Sequence, residues 1–525
     1  MSAKHEGDRR MKKQVVFSIA VVMILMFSMF AVLTPKLRAA GQPRVNKWSK
    51  TTWEVNPAYA RQLTSAELDA TPSDPIPFNI DMVNSEPDYT LADGSGIYVA
   101  VLDTGLLSNY EWYFPPDMVN IKTEWGIGFS HDVTYNPVTQ ELDFGPLRSD
   151  RGFYTHDAWN PNPDPNPFGM GFGSGHGTHV TSIITGYEFW RGTVDTWIKG
   201  VAPKATIIPV LVLDDWLYFN STYQSPEYPD GDWFLETGGT DEMVAAGIRY
   251  VGDLAESQHI KIIINMSLGG SEPTTIIEDA VNYAIGKGVI IVASAGNEGY
   301  AGMGWPGAYP QVISVAAAGW TQEYGGGNYN PYDYYWWWKD VPEKLHTKNT
   351  VLNWTHPAWS GFDIYGDPTT DPYWNPAYAG PTGTFTNKEE VYLTDFSSRP
   401  NKALGQKKDD LDLAAPGAAI RGPYKDYFSY MPAFYAVWGT SQAAPHVSGI
   451  AAIVEEMHPK LNQAGMHKAL VNAAHKNPMP SCGGAYVSDA FSYYYPLFAC
   501  YKVKWNDHDA GAGLLTLDEA LKAAH

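Results

Sequence analysis

Ile97-Tyr98-Val99-Ala100-Val101-Leu102-Asp103-Thr104-Gly105 is the stretch on which the fold turns. The first six residues carry no charge, and both alternating sets are apolar. A strand wet on one side alternates apolar with polar residues, whereas a strand covered on both sides does not. The run therefore reads as a covered strand that ends on Asp103. Working outward, Thr206–Leu213, Ile260–Met266, Val289–Ser294, Val312–Ala317 and Leu411–Ala414 have the same character. Between them, Asp241–Gln258, Ile276–Ile285, Gln442–Met457 and Gly465–Ala474 place apolar residues at helical spacing. Strand–helix alternation predicts βαβ units and a parallel sheet, an α/β fold.

Two stretches break the rhythm. Residues 106–172 and 319–391 are rich in Gly, Pro, Asn, Asp and aromatics, and the second holds Tyr334-Tyr335-Trp336-Trp337-Trp338. Long irregular segments inside a compact domain read as functional loops or insertions. Residues 41–92 show little periodicity and read as an N-terminal extension or linker. The remaining 93–525 form the main domain.

The chain has 525 residues, 44% of them apolar, enough for a sizeable core. Its formal charge of -21 argues against nucleic-acid binding, which needs surplus Lys and Arg to neutralise phosphates. Lys4, Arg9, Arg10, Lys12 and Lys13 precede an uncharged, mostly apolar run from Val15 to Leu33. A basic start followed by an apolar run reads as an export signal within residues 1–40. The run is also long enough to anchor the chain in a membrane. In both readings the basic end stays inside and the rest goes outside, secreted or anchored. Cys482 and Cys500 are the only cysteines. Outside the cytoplasm such a pair can close a short disulfide loop; two buried thiols are the plainer alternative.

Four short stretches carry chemistry. Asp103 ends a covered strand, where open α/β sheets place their ligand sites. His176-Gly177-Thr178-His179-Val180 follows Gly173-Ser174-Gly175 and enters a helix-like stretch. Its first His can act as a general base; the pair can also ligate a metal, although no third ligand is evident. Asn297, in Ser294-Ala295-Gly296-Asn297-Glu298-Gly299, ends another covered strand and can aim its amide at a developing oxyanion. Ser441, in Gly439-Thr440-Ser441-Gln442-Ala443-Ala444-Pro445-His446-Val447, stands at the start of a helix with its own N–H among the unpaired set. Taken singly, each has a plainer reading: a turn Asp, a metal ligand, a turn Asn, a helix-capping Ser. Taken together they supply a nucleophile, its base, the carboxylate that orients the base, and an oxyanion donor.

The four stretches, in the order Asp, His, Asn, Ser, resemble the subtilisin-like serine protease family, as do Gly200-Val201-Ala202-Pro203, Asn265-Met266-Ser267-Leu268-Gly269-Gly270 and Ala414-Ala415-Pro416-Gly417. The resemblance covers about residues 96–520. It implies a three-layer α/β/α fold and peptide-bond hydrolysis through an acyl-enzyme on Ser441, with His176 as base, Asp103 as its orienter and Asn297 in the oxyanion hole. It further implies that Ser267, Leu268 and Gly269 line the substrate, that Glu298 stands near the rim of the specificity pocket, and that His179 is structural. The substrate would be a polypeptide, the enzyme a monomer, and no cofactor would be needed for catalysis. Family members often bind structural calcium; Asp230-Gly231-Asp232 is acidic but lacks a calcium-loop pattern. Gln442 departs from the family, which usually has Met after the nucleophile. A different class of function is a catalytically silent fold of this kind, binding partners through its aromatic insertion.

Overall fold

Among the described residues, the apolar runs become the middle of a nine-stranded sheet. Its strands are β1 (Tyr98–Asp103), β2 (Asn120–Ile121), β3 (Ile127–Gly128), β4 (Thr206–Leu211), β5 (Ile262–Met266), β6 (Ile290–Ser294), β7 (Ile313–Trp320), β8 (Val391–Leu393) and β9 (Leu413–Pro416). They lie in the order β8-β7-β6-β5-β1-β4-β2, with β9 beside β7 and β3 beside β4. Only β8 runs antiparallel to its neighbour. β1 has β4 on one side and β5 on the other, so the chain reverses its direction of travel across the sheet at β1. A crevice opens at such a switch point beyond the carboxyl ends of the strands. Asp103 is the last residue of β1 and therefore lies at that end of the sheet.

Helices cover both faces, giving a three-layer α/β/α architecture. α1 (His176–Thr185) and α4 (Thr440–Met457) pack on each other, and α4 lies along β5, β6 and β7. α2 (Asp241–Gln258) and α3 (Thr275–Gly286) form a second pair, against β1, β5 and β6. α5 (Gln463–Ala474) and α6 (Leu517–Ala523) pack beside each other. α2 starts where Thr240 accepts from the Met243 N–H, with Asp241 and Glu242 in its first turn to complement the helix dipole. Met243, Val244, Gly247, Ile248 and Val251 make its buried stripe. α4 is buried from Thr440 to Glu455, its polar side chains included.

The computed structural model describes residues 52–53, 59–62, 76–85, 92–155, 175–191, 194–222, 232–321, 341, 350–354, 383–387, 390–424, 434–479, 483–487, 501–506 and 508–525. The apolar run 15–33, Cys482, Cys500, Asp230-Gly231 and the aromatic run 334–338 lie outside them. Among the described residues no helix is long and apolar enough to cross a membrane. Within 106–172, read above as irregular, β2 and β3 join the sheet and Ser130–Asn136 pairs with Glu141–Arg148 as a hairpin. That hairpin is largely half-buried or exposed, so it carries little apolar signal.

Residues 76–85, read above as part of the extension, pack into the body. Phe78, Ile80, Met82 and Val83 are buried, Leu517 N–H donates to the Val83 carbonyl, and Ser85 Oγ donates to the Val201 carbonyl. Further upstream, Tyr59–Gln62 pairs antiparallel with β11 (Phe434–Trp438), whose other edge takes β10 (Ile420–Pro423).

Candidate active site

β1 delivers Asp103 and the first turn of α1 delivers His176. Asp103 Oδ1 receives His176 Nδ1 at 2.8 Å and the Thr104 N–H at 2.7 Å. Both side chains are fully buried. The approach is possible because Gly177 has no side chain: a Cβ there would meet the Gly105 carbonyl at 2.3 Å. Gly105 itself has φ +78 and lies against the Phe153 carbonyl, where a side chain would be both strained and crowded. Thr104 Oγ1 then accepts from the Gly177 N–H at 3.0 Å, fixing the end of β1 to the start of α1. With Nδ1–H turned to the carboxylate, Nε2 is the nitrogen left to exchange a proton.

His179, one turn along α1, does something else. Its Nε2 donates to the Ile420 carbonyl at 3.2 Å, and burial together with the nearby His176 pushes its pKa down to about 3. It stays neutral and ties α1 to β10. The described residues contain no group of three or more His, Cys, Asp or Glu that converges as a metal site.

Ser441 is the second residue of α4. Pro445 lacks an N–H, so the Ser441 carbonyl loses the i+4 partner its helix would supply. Ser267, just beyond the end of β5, fills the gap: its hydroxyl donates to the Ser441 carbonyl at 2.7 Å. In return Ser441 Oγ donates to the Ser267 carbonyl at 3.0 Å. Asn265 Nδ2 donates to Ser267 Oγ at 3.0 Å, and Ser448 Oγ donates to Asn265 Oδ1 at 2.8 Å. A buried polar chain thus runs from inside α4, through β5, back to the start of α4. Leu268, next in the chain after Ser267, is buried and Gly269 half-buried.

Asn297 sits just beyond β6. Its Oδ1 accepts from Thr440 N at 2.9 Å and Thr440 Oγ1 at 3.0 Å. The amide nitrogen consequently turns toward Gly439. Asn297 Nδ2 and the Ser441 backbone N each lie 3.6 Å from the point a Cβ on Gly439 would occupy, and Gln442 Oε1 lies 2.6 Å from it. Two nitrogens from different elements therefore lie close to one point beside Ser441. Glu298 is exposed, and its Oε2 accepts from Ser398 Oγ at 2.8 Å.

The sequence reading did not find the Ser267 hydroxyl in this structural role, nor Asn265 and Ser448. One local signal existed: Pro445, four residues after Ser441, deletes the N–H that would otherwise satisfy the Ser441 carbonyl.

Residues 94–493 match the Subtilase family. A subtilisin from Bacillus sp. (strain TA39) is 28% identical over 428 residues, covering 80% of this chain and 71% of that protein. Thermitase from Thermoactinomyces vulgaris is 28% identical over 251 residues, covering 47% of this chain and 65% of that protein. Among solved structures, sphericase aligns with 85% of this chain and 99% of its own at 23% identity and a TM-score of 0.46. With its family match spanning most of the sheet, both helical layers and all four chemical stretches, the chain belongs to the subtilase family and is a subtilisin-like serine endopeptidase.

Proposed function

We propose that Ser441 is the nucleophile, His176 its general base and acid, Asp103 the orienter of His176, and Asn297 with the Ser441 N–H the oxyanion hole. The carrying observation is the fully buried Asp103–His176 pair at the switch point of the sheet, on the face where α1 packs against α4. Ser441 Oγ would rotate off the Ser267 carbonyl, lose its proton to His176 Nε2 and bond to the carbonyl carbon of the scissile peptide. The electron pair of that carbonyl would move to oxygen, facing Asn297 Nδ2 and the Ser441 N–H. His176 would then protonate the leaving amine as the C–N bond breaks, leaving an acyl-enzyme. Water would add to the ester by the same route in reverse, with its proton passing to His176. Ser267, Leu268 and Gly269, continuing β5 past its end, are proposed to align the substrate backbone.

Export is part of this reading. It rests on the basic start and the apolar run 15–33, which lie outside the described residues. The test of the chemistry is labelling by a fluorophosphonate probe, wild type against Ser441→Ala. Labelling confined to the wild type is expected. Equal labelling of both would remove Ser441 from the nucleophile role, and no labelling of either would favour the silent binding fold.

A further inference from the structure

Asn79 lies upstream of the residues that match the family, on a single helical turn, Phe78–Asp81. It is 4% exposed, and its Nδ2 donates to His446 Nε2 at 2.9 Å. His446 is fully buried, and its Nδ1 meets the Gln442 carbonyl at 2.8 Å. Burial pushes the His446 pKa down to about 4, so at neutral pH the ring is uncharged and holds one hydrogen. An amide nitrogen only donates, so Nε2 must accept, and the single hydrogen is placed on Nδ1. Asn79 thereby makes His446 a donor to Gln442.

That donation matters because of where it lands. Gln442 follows Ser441 directly, and Pro445 has already removed the helix's own bond to the Ser441 carbonyl. The Ser441 carbonyl is therefore held by the Ser267 hydroxyl, and His446 Nδ1 adds a side-chain bond to the next carbonyl of the turn. We infer that Asn79 is a positioning residue for Ser441: it selects the His446 tautomer that braces this turn. The inference rests on the reading of Ser441 as nucleophile. It brings a segment outside the family match into the working of the site.

The test uses the full chain and the rate of fluorophosphonate acylation, with KM for a peptide substrate measured beside it. Asn79→Leu keeps the volume and removes the donor. It is expected to acylate roughly tenfold or more slowly, the scale of a small misplacement of a reacting group, with KM changed less than about twofold. Asn79→Asp offers Nε2 an acceptor instead. At about pH 6 His446 then holds both hydrogens, Nδ1 still donates to Gln442, and the rate stays within about threefold of wild type. As pH rises and the ring loses a proton, the remaining hydrogen goes to the carboxylate side and the brace is lost. The ratio of variant to wild-type rate should therefore fall toward about pH 9. The other titratable groups bearing on His446 are His179 on α1, whose charge is coupled to it, and Asp81 on Asn79's own turn, whose Oδ2 accepts from the Val341 N–H. Both are unchanged in the comparison.

Acylation of Asn79→Leu at the wild-type rate, or a flat ratio for Asn79→Asp across that pH range, would overturn the inference. So would failure of both variants to give folded protein by thermal melt, since Asn79 would then serve stability alone. An unlabelled wild type would instead remove the nucleophile reading, and this inference with it.

Discussion

Ser267 and Ser441 are joined twice: each hydroxyl donates to the other residue's carbonyl, at 2.7 and 3.0 Å. One bond satisfies the carbonyl that Pro445 strands. The other holds the hydroxyl of Ser441, the proposed nucleophile, against the residue that follows β5. Ser267→Ala keeps the backbone carbonyl but removes the donor to Ser441 and the acceptor for Asn265 Nδ2. Leaving buried polar groups unpaired costs about 1–3 kcal/mol. Thermal melts should show that loss, measured in a Ser441→Ala background to prevent self-digestion. In the active chain, kcat is expected to fall more than KM rises. Unchanged stability would mean that the pair has no energetic coupling.

Asn297 has two jobs that substitution can separate. Its Oδ1 caps Thr440, and its nitrogen is the proposed oxyanion donor. Asn297→Leu removes both functions; Asn297→Asp keeps the acceptor and loses the donor. Both should lower kcat by about 10²–10³, a scale set by loss of one oxyanion donor in subtilisin, a relative of this chain. Only the Leu variant should also lose the cap, costing about 0.5–2 kcal/mol of stability. A kcat drop below threefold in the Asp variant would take Asn297 out of the oxyanion hole.

Gln442 is fully buried, and neither amide atom has a hydrogen-bond partner among the described residues. An orphaned buried amide destabilises, and an apolar side chain of similar volume does not. Gln442→Met is therefore expected to raise stability by about 1–3 kcal/mol. A lower melting temperature would show that the amide is satisfied by a group outside this region.

His467 Nε2 sits 2.6 Å from Asp412 Oδ1, and Asp412 Oδ2 accepts from Ser314 N at 2.8 Å. The hydrogen bond to Asp412 raises the His467 pKa above its ordinary value of 6.5. A raised folded-state pKa means the contribution is complete below about pH 6.5, the unfolded value. It fades as pH climbs through the folded value. His467→Gln should therefore lose more stability at about pH 5.5 than at about pH 9. Equal losses at the two pH values would show that the pair is not held by charge.

Asp103, His176, Asn297 and Ser441 were legible as candidates because each is written locally: a residue type, its glycines, and a covered strand or helix start beside it. The strands of the sheet were legible for the same reason, since burial on both faces leaves a continuous apolar run. The Ser267 brace and the Asn79–His446 contact were not. Their partners are 174 and 367 positions apart, and a lone Ser or Asn carries no periodic signal. Phe78, Ile80, Met82 and Val83 were likewise missed, because a single helical turn is too short to show a period.

Taken by itself, the sequence determined the covered parallel sheet, the placement of Asp103 at the end of a strand, and the set of groups that an acyl transfer needs. These follow from local physics: side-chain polarity, helical and strand spacing, and the freedom of glycine. The tertiary structure alone decided which distant side chains hold those groups in place. Hydrogen bonds between residues far apart in the chain depend on where packing brings two surfaces together. That is why the segment 76–85, silent in the sequence, ends up bracing the helix that carries Ser441.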